Sequence, residues 1–163
     1  MNNIVFRQIQ PSDNLPLAKM IRQVFEEFDA PRTGTVFSDP TTDALFDLFQ
    51  TTGAILWVAE KNGQTMGCCG VYPTPGLPTH CAELVKFYLS PEIRGNGTGR
   101  YLMNQCIASA RDFGYKQLYI ESLPVFSKAI GMYEKAGFRR LTKPLGQSGH
   151  CSCDVWMLLE LLF

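Results

Sequence analysis

A chain of 163 residues with 15 Lys and Arg against 15 Asp and Glu, 45% apolar and 18% charged, reads as one soluble globular domain without the bias that keeps chains unfolded. At this length folding buries roughly 70% of the surface the unfolded chain exposes, so a core forms without disulfides or a metal, and a second full domain has no room. The balanced charge offers no broad positive field, no apolar run approaches the roughly 20 residues of a membrane span, and the early residues lack a secretory apolar region. Neither nucleic acid nor membrane is expected as a partner, and the expected location is cytoplasmic.

Residues 3–9 read as a strand, followed by Ser12 or Asp13 as cap of a helix with Pro16 in its first turn. Leu17, Met20, Ile21, Val24, Phe25 and Phe28 then recur at i, i+3 and i+4, the spacing of one buried stripe. Asp39-Pro40 is a cap and first-turn proline for a second, shorter helix carrying Leu45, Phe46, Leu48 and Phe49. Residues 54–60 and 65–72 read as strands joined by the hairpin signal Asn62-Gly63, and residues 82–89 as another. The segment from Arg94 to Gly99 leads into a helix whose apolar face is Leu102, Met103, Cys106, Ile107 and Ala110. Strand 117–122, helix 125–136, a short strand from Phe138 and a last strand 151–159 complete the chain. The order β-α-α-β-β-β-α-β-α-β-β fits an α/β (α+β) domain with helices on both faces of one sheet.

The six cysteines, at 68, 69, 81, 106, 151 and 153, contain no C-x-x-C pair, and they read as structural thiols with no metal site. Cys151 and Cys153 alternate about Ser152 as strand residues would. His80 and His150 fall in Gly/Pro/Ser-rich stretches and read as solvated loop side chains.

Three glycines at alternate positions before a helix make a place where backbone N–H groups converge on an anion, phosphate above all. A P-loop is excluded, because no Lys follows these glycines at the required place. A Rossmann turn fails on spacing: counting from Gly95 puts Arg100 at the third glycine position, and counting from Gly97 puts Leu102 there. Arg94-Gly95-Asn96-Gly97-Thr98-Gly99 instead resembles the R-x-x-G-x-G signature of the GNAT N-acetyltransferase superfamily. Two further segments support the resemblance in order and spacing. Residues 83–89 are similar to that family's fourth strand, and Ala129 to Phe138 is similar to its A-x-x-x-Y-E-K-x-G-F segment.

The resemblance implies a mixed, mostly antiparallel sheet and an acetyl-CoA-dependent transfer to an amine of a small molecule or protein, by direct attack and without a covalent enzyme intermediate. It implies a coenzyme seat at Arg94, Gly95, Asn96, Gly97, Thr98, Gly99 and Arg100. A fourth strand splayed from the fifth would present backbone amides around Phe87, Tyr88 and Leu89 to the pantetheine and the thioester carbonyl. Glu83 stands where some members place a general base, its alternative being a strand Glu with no role. Tyr133 matches the tyrosine that protonates the departing thiolate, its alternative being core packing. Phe126 replaces an Asn that contacts the coenzyme in many members. The acceptor pocket would be walled by residues 29–39 and 143–150, and homodimers are common in the family. Lys135, Arg139, Arg140 and Glu121 are assigned no role. The rival readings are a coenzyme A binding or sensing module without turnover and a nucleotide-dependent oxidoreductase.

Overall fold

The computed structural model describes residues 3–162. Strand β1 (Ile4–Gln8) leads into helix α1 (Asn14–Glu27) and the one-turn helix α2 (Leu45–Leu48). Strands β2 (Ile55–Lys61), β3 (Gln64–Tyr72) and β4 (Cys81–Leu89) follow as an antiparallel meander. Helix α3 (Thr98–Asp112), strand β5 (Gln117–Ser122), helix α4 (Ser127–Ala136) and strands β6 (Arg139–Arg140) and β7 (Val155–Glu160) complete the sequence-derived order. The seven strands form one sheet in the order β1-β2-β3-β4-β5-β7-β6, antiparallel except where β4 meets β5.

The expected stripe of α1 is buried at Leu17, Met20, Ile21, Val24 and Phe25, and packs with Leu56, Val58 and Cys68 on one face of the sheet. Leu102, Met103, Cys106, Ile107 and Ala110 of α3 pack on the other face with Ala82, Leu84 and Leu118. Two buried clusters on opposite faces are what a two-sided sheet between helix layers requires. The β2–β3 turn is the expected hairpin, with Asn62 at φ +54° and Gly63 at φ +77°, the pair of positive angles a two-residue type I′ loop demands.

Three local expectations are corrected. Asp13 does not cap α1 with its side chain. A short 3-10 turn at Pro11–Asp13 intervenes, and the carboxylate accepts hydrogen bonds from the Gln10 amide, Arg7 and Thr65. The second helix is split into a 3-10 turn at Pro40–Asp43, capped by Asp39 through the Thr41 amide at 2.9 Å, and the four residues of α2. The last strand begins at Val155, so Cys151 and Cys153 lie in the preceding turn. Their alternation around one serine is too short a pattern to distinguish a strand from a turn.

Candidate active site

Strands β4 and β5 pair over only three residues each, Cys81 to Glu83 against Gln117 to Tyr119, and then diverge. The gap is a cleft of about 660 Å³ that passes between the two strands and is bordered by α1, the Arg94–Gly99 segment and α4. A break in the sheet lets residues of both faces line one space. Leu84, Phe87 and Leu89 belong with the α3 and α4 side, whereas Val85 and Tyr88 belong with the α1 side. The alternation changes phase at Lys86, where Cys69 of β3 stands opposite two residues of β4 and Lys86 takes φ +54°. Such a bulge leaves consecutive side chains on one face and increases local twist, which re-aims groups beside a site.

Of the residues expected to form a site, Glu83, Phe87, Tyr88, Leu89, Arg94, Gly95, Gly97, Gly99, Arg100 and Tyr133 line this cleft. Asn96 and Thr98 do not border it. Asn96 Oδ1 accepts from the Thr98 amide and hydroxyl, closing the turn that starts α3. Gly97 is the residue before the helix and stands at φ +87°, with open space where a β-carbon would go. The Gly99 and Arg100 amides have no acceptor among the described residues, as the first turn of a helix leaves them. With the helix dipole behind them, these donors and that empty space fit a pyrophosphate. Arg94 holds this loop from beneath. It donates to both carboxylate oxygens of Glu27, at 2.6 and 3.0 Å, and to the Leu89 carbonyl, so Glu27 already balances its charge.

Glu83 is 4% exposed and accepts a 2.6 Å hydrogen bond from Thr74. Burial raises its pKa to about 7, against the Thr74 hydrogen bond and the attraction of Lys86, and with the nearby Glu121 adding to the rise. A carboxyl poised near neutrality is suited to proton transfer. The same shift destabilises the fold. The native state holds this proton more tightly than the unfolded chain, so the carboxyl costs no stability below pH 4.5 and progressively more as pH rises through about 7. Glu83→Gln keeps the shape without the charge. Its melting curve should match the parent's at pH 4 and exceed it by up to about 3 kcal/mol in unfolding free energy at pH 8. An equal difference at both values would mean that Glu83 is not buried as a titrating acid.

Tyr133 lies on α4 with its ring against Phe87 and Phe138, centroids 6.1 and 5.7 Å away, and its rim in the cleft. Burial drives its pKa well above the ordinary phenol value, so the hydroxyl keeps its proton throughout the useful pH range. Phe126, immediately before α4, packs on Phe25, Phe28 and Tyr88 and makes an aromatic wall where the resemblance implies a polar contact. Lys135 and the Arg139–Arg140 pair stay clear of the cleft, Arg140 meeting Glu134 at 3.2 Å on the surface.

Four features of the site escaped the sequence reading. Lys86 is nine-tenths buried and lines the cleft, although a Lys in a strand ordinarily reads as a solvated charge. His150 is not a solvated loop side chain: its Nε2 stands 2.8 Å from Asp39 Oδ2 and ties the late loop to the turn before α2. Burial alone would push the Asp39 carboxyl up, but hydrogen bonds from His150 and Thr41 outweigh it and hold the pKa at about 2. Glu121 borders the cleft and accepts from Tyr119 at 2.7 Å and from Ser148. Cys153 also borders it, but burial pushes its thiol up to about 12, so it is protonated and a poor nucleophile. These residues come from segments far apart in the chain, and only the Asp39-Pro40 cap carried a local signal. Among the described residues no helix is long and apolar enough to cross a membrane, and no cluster of metal-ligating side chains occurs.

Residues 21–138 match the model of the acetyltransferase (GNAT) family. The chain is 36% identical to YjgM, an uncharacterized N-acetyltransferase of Escherichia coli (strain K12), over 99% of this chain and 100% of the relative. A GNAT-family acetyltransferase of Staphylococcus aureus Mu50 superposes with a TM-score of 0.81 at 18% identity, covering 98% of this chain and 99% of the other. The yncA protein of Salmonella typhimurium, solved with its cofactor acetyl-CoA, superposes with a TM-score of 0.77 at 19% identity, over 98% and 95% of the two chains. The split sheet and the glycine loop before α3 therefore occur in a fold shared with acetyltransferases.

Proposed function

The chain belongs to the acetyltransferase (GNAT) family and is an N-acetyltransferase, and we propose that it moves an acetyl group from acetyl-CoA to an amine by direct attack within the β4–β5 cleft. The observation that carries this reading is the opening of one cleft with the glycine loop bordering it and with both Glu83 and Tyr133 in its lining. When bound, acetyl-CoA supplies an activated acetyl group. The backbone amides of Gly99 and Arg100 would hold its pyrophosphate, and the strand β4 beyond its pairing with β5 would face the pantetheine.

Within that arrangement each remaining task falls to a group of this chain. Glu83 takes a proton from the acceptor ammonium, leaving a nitrogen lone pair free to attack the thioester carbonyl carbon. Those amides of the Phe87–Leu89 stretch that point away from β3, toward the side where β4 has parted from β5, meet the negative charge gathering on the carbonyl oxygen. Tyr133 donates its proton to the sulfur as the carbon–sulfur bond breaks, the second proton shed by the attacking nitrogen restores the phenol, and the products are an acetamide and free thiol. A module that binds coenzyme A without turnover has no need of a carboxyl near pH 7 and a protonated phenol in one cleft, so their shared location favours transfer.

Release of free CoA from acetyl-CoA in the presence of an amine panel tests the activity. Saturating acetyl-CoA is expected to raise the melting temperature and NAD to leave it unchanged, since a ligand specific for the native state stabilises it by mass action. No CoA release with any amine, together with such a shift, would favour the binding module. The loop is tested by Gly97→Ala. Because Gly97 sits at φ +87°, Ala there costs about 1 kcal/mol of strain with no ligand present, so stability and affinity must be measured separately. The folded variant should bind acetyl-CoA at least about tenfold more weakly, or roughly 1.4 kcal/mol. Unchanged affinity would remove the pyrophosphate from this loop.

A further inference from the structure

Beside Glu83 lies a smaller cavity of about 150 Å³, in which the polar groups of Asp39, Thr74, Glu83, Lys86, Ser148 and His150 stand among apolar lining from Leu48, Tyr72 and Val85. Glu83, Lys86 and His150 also line the larger cleft, so the two spaces adjoin at the carboxyl proposed to take the acceptor's proton. The charges in the chamber are unevenly matched. Asp39 is occupied by His150 and Thr41, and Glu83 by Thr74. Lys86 is only 6% exposed and its ammonium makes no hydrogen bond and no ion pair among the described residues, its nitrogen remaining open to the cavity.

Desolvation of an ammonium with no hydrogen-bonded partner is unfavourable, and so is a non-glycine residue at φ +54°. Both costs fall on Lys86, at the bulge that places it on the same side of β4 as Glu83 and Val85. Neither contributes to packing. Backbone strain and a charge without a hydrogen-bonded partner, gathered on one residue that faces a cavity, point to a binding position rather than a structural one.

We propose that Lys86 is the seat for a carboxylate on the acceptor, so that the substrate is a small amino acid held with its carboxylate on Lys86 and its amine beside Glu83. This deepens the acetyltransferase reading and rests on it. The pairing follows from charge: the acceptor ammonium needs the acid that will take its proton, and Lys86 is a cation with no hydrogen-bonded anion, the two carboxylates that attract it, Asp39 and Glu83, being hydrogen-bonded to other groups. The hydroxyl protons of Thr74 and Ser148 are committed to Glu83 and Glu121, so these oxygens meet a side chain of modest size only as acceptors, and the Asp39–His150 pair borders the same cavity. A large or purely apolar amine would leave the buried ammonium unpaired and would not gain this energy. The selectivity therefore lies in the chamber and not in the coenzyme cleft.

The test compares free amino acids with their primary amides, which keep the amine and side chain but lose the anion. With the wild-type protein, kcat/KM for the best amino acid should exceed that for its amide by at least about thirtyfold, or roughly 2 kcal/mol. In Lys86→Met, which keeps the length without the charge, this preference should shrink to within about threefold, and in Lys86→Arg it should partly return. Thermal melts of both variants establish folding, and amino-acid titration in the presence of CoA, followed by NMR shift changes, reads occupancy without turnover. Amides preferred over acids, or a preference that survives in Lys86→Met, overturns the carboxylate seat. Amino acids bound by the wild type and not by Lys86→Met, with no amine acetylated, would uphold the seat and overturn the transfer reading. No binding and no turnover of any amino acid, while neutral amines are acetylated, would overturn the seat and leave the transfer standing.

Discussion

Glu83→Gln is expected to lower kcat by about a hundredfold or more while acetyl-CoA binding changes little, because one proton-transfer group typically contributes that factor. The pH profile should separate this from a general loss of fitness. Only the ionised carboxylate accepts a proton, so wild-type kcat/KM should fall on the acid side with an apparent pKa of about 7 and reach a plateau above it. Burial is the chief cause of that value, opposed by the Thr74 hydroxyl, so Thr74→Val should move the acid limb to higher pH by removing a group that favours the anion. Gln at position 83 should abolish the limb altogether, leaving any remaining pH dependence to the acceptor amine. Near-normal turnover with an unchanged acid limb would assign that limb to another group. The increase in stability at pH 8 expected for the same variant makes the trade explicit, since the charge proposed to serve proton transfer strains the fold that holds it.

The second large effect concerns the other end of the reaction. Tyr133→Phe keeps the ring contacts with Phe87 and Phe138 and removes only the hydroxyl, so stability and acetyl-CoA affinity should hold. With chemistry rate-limiting, kcat should fall by about ten- to a thousandfold, the range for loss of one acid or hydrogen-bond donor acting as the bond breaks. Burial keeps the phenol protonated, so no alkaline limb from Tyr133 is expected in the working range. Thioesters with a more acidic leaving thiol should be less affected by the change, because they need less help in departing. If kcat stays within a factor of about two, Tyr133 serves packing alone and another donor meets the sulfur.

Much of this architecture was legible in the chain because its signals are local. The stripe of α1, the Asn62-Gly63 hairpin, the limits of β5 and the glycine lead into α3 each depend on residues within a turn or two of one another, and each appears where periodicity and turn chemistry put it. The motif residues of the glycine loop and of the segment ending at Phe138 also identified the family, since backbone approach to an anion needs glycine at fixed spacing. Cys151 and Cys153 were misplaced because two alternating residues carry too little periodicity, and the turn at Gly149–Cys153 is closed instead by contacts with residues 33–39. Lys86, Asp39, His150 and Glu121 have no meaning until distant segments meet. The tertiary structure alone decided that β4 and β5 part after three pairs, that a bulge turns Lys86 to the side of Glu83, and that the late loop closes on the turn before α2. Sequence periodicity records which side of an element is apolar, but desolvation, the distance between charges and the space left between strands arise only when all the elements pack, and these quantities raise the Glu83 pKa and leave the Lys86 ammonium with no hydrogen-bonded partner among the described residues.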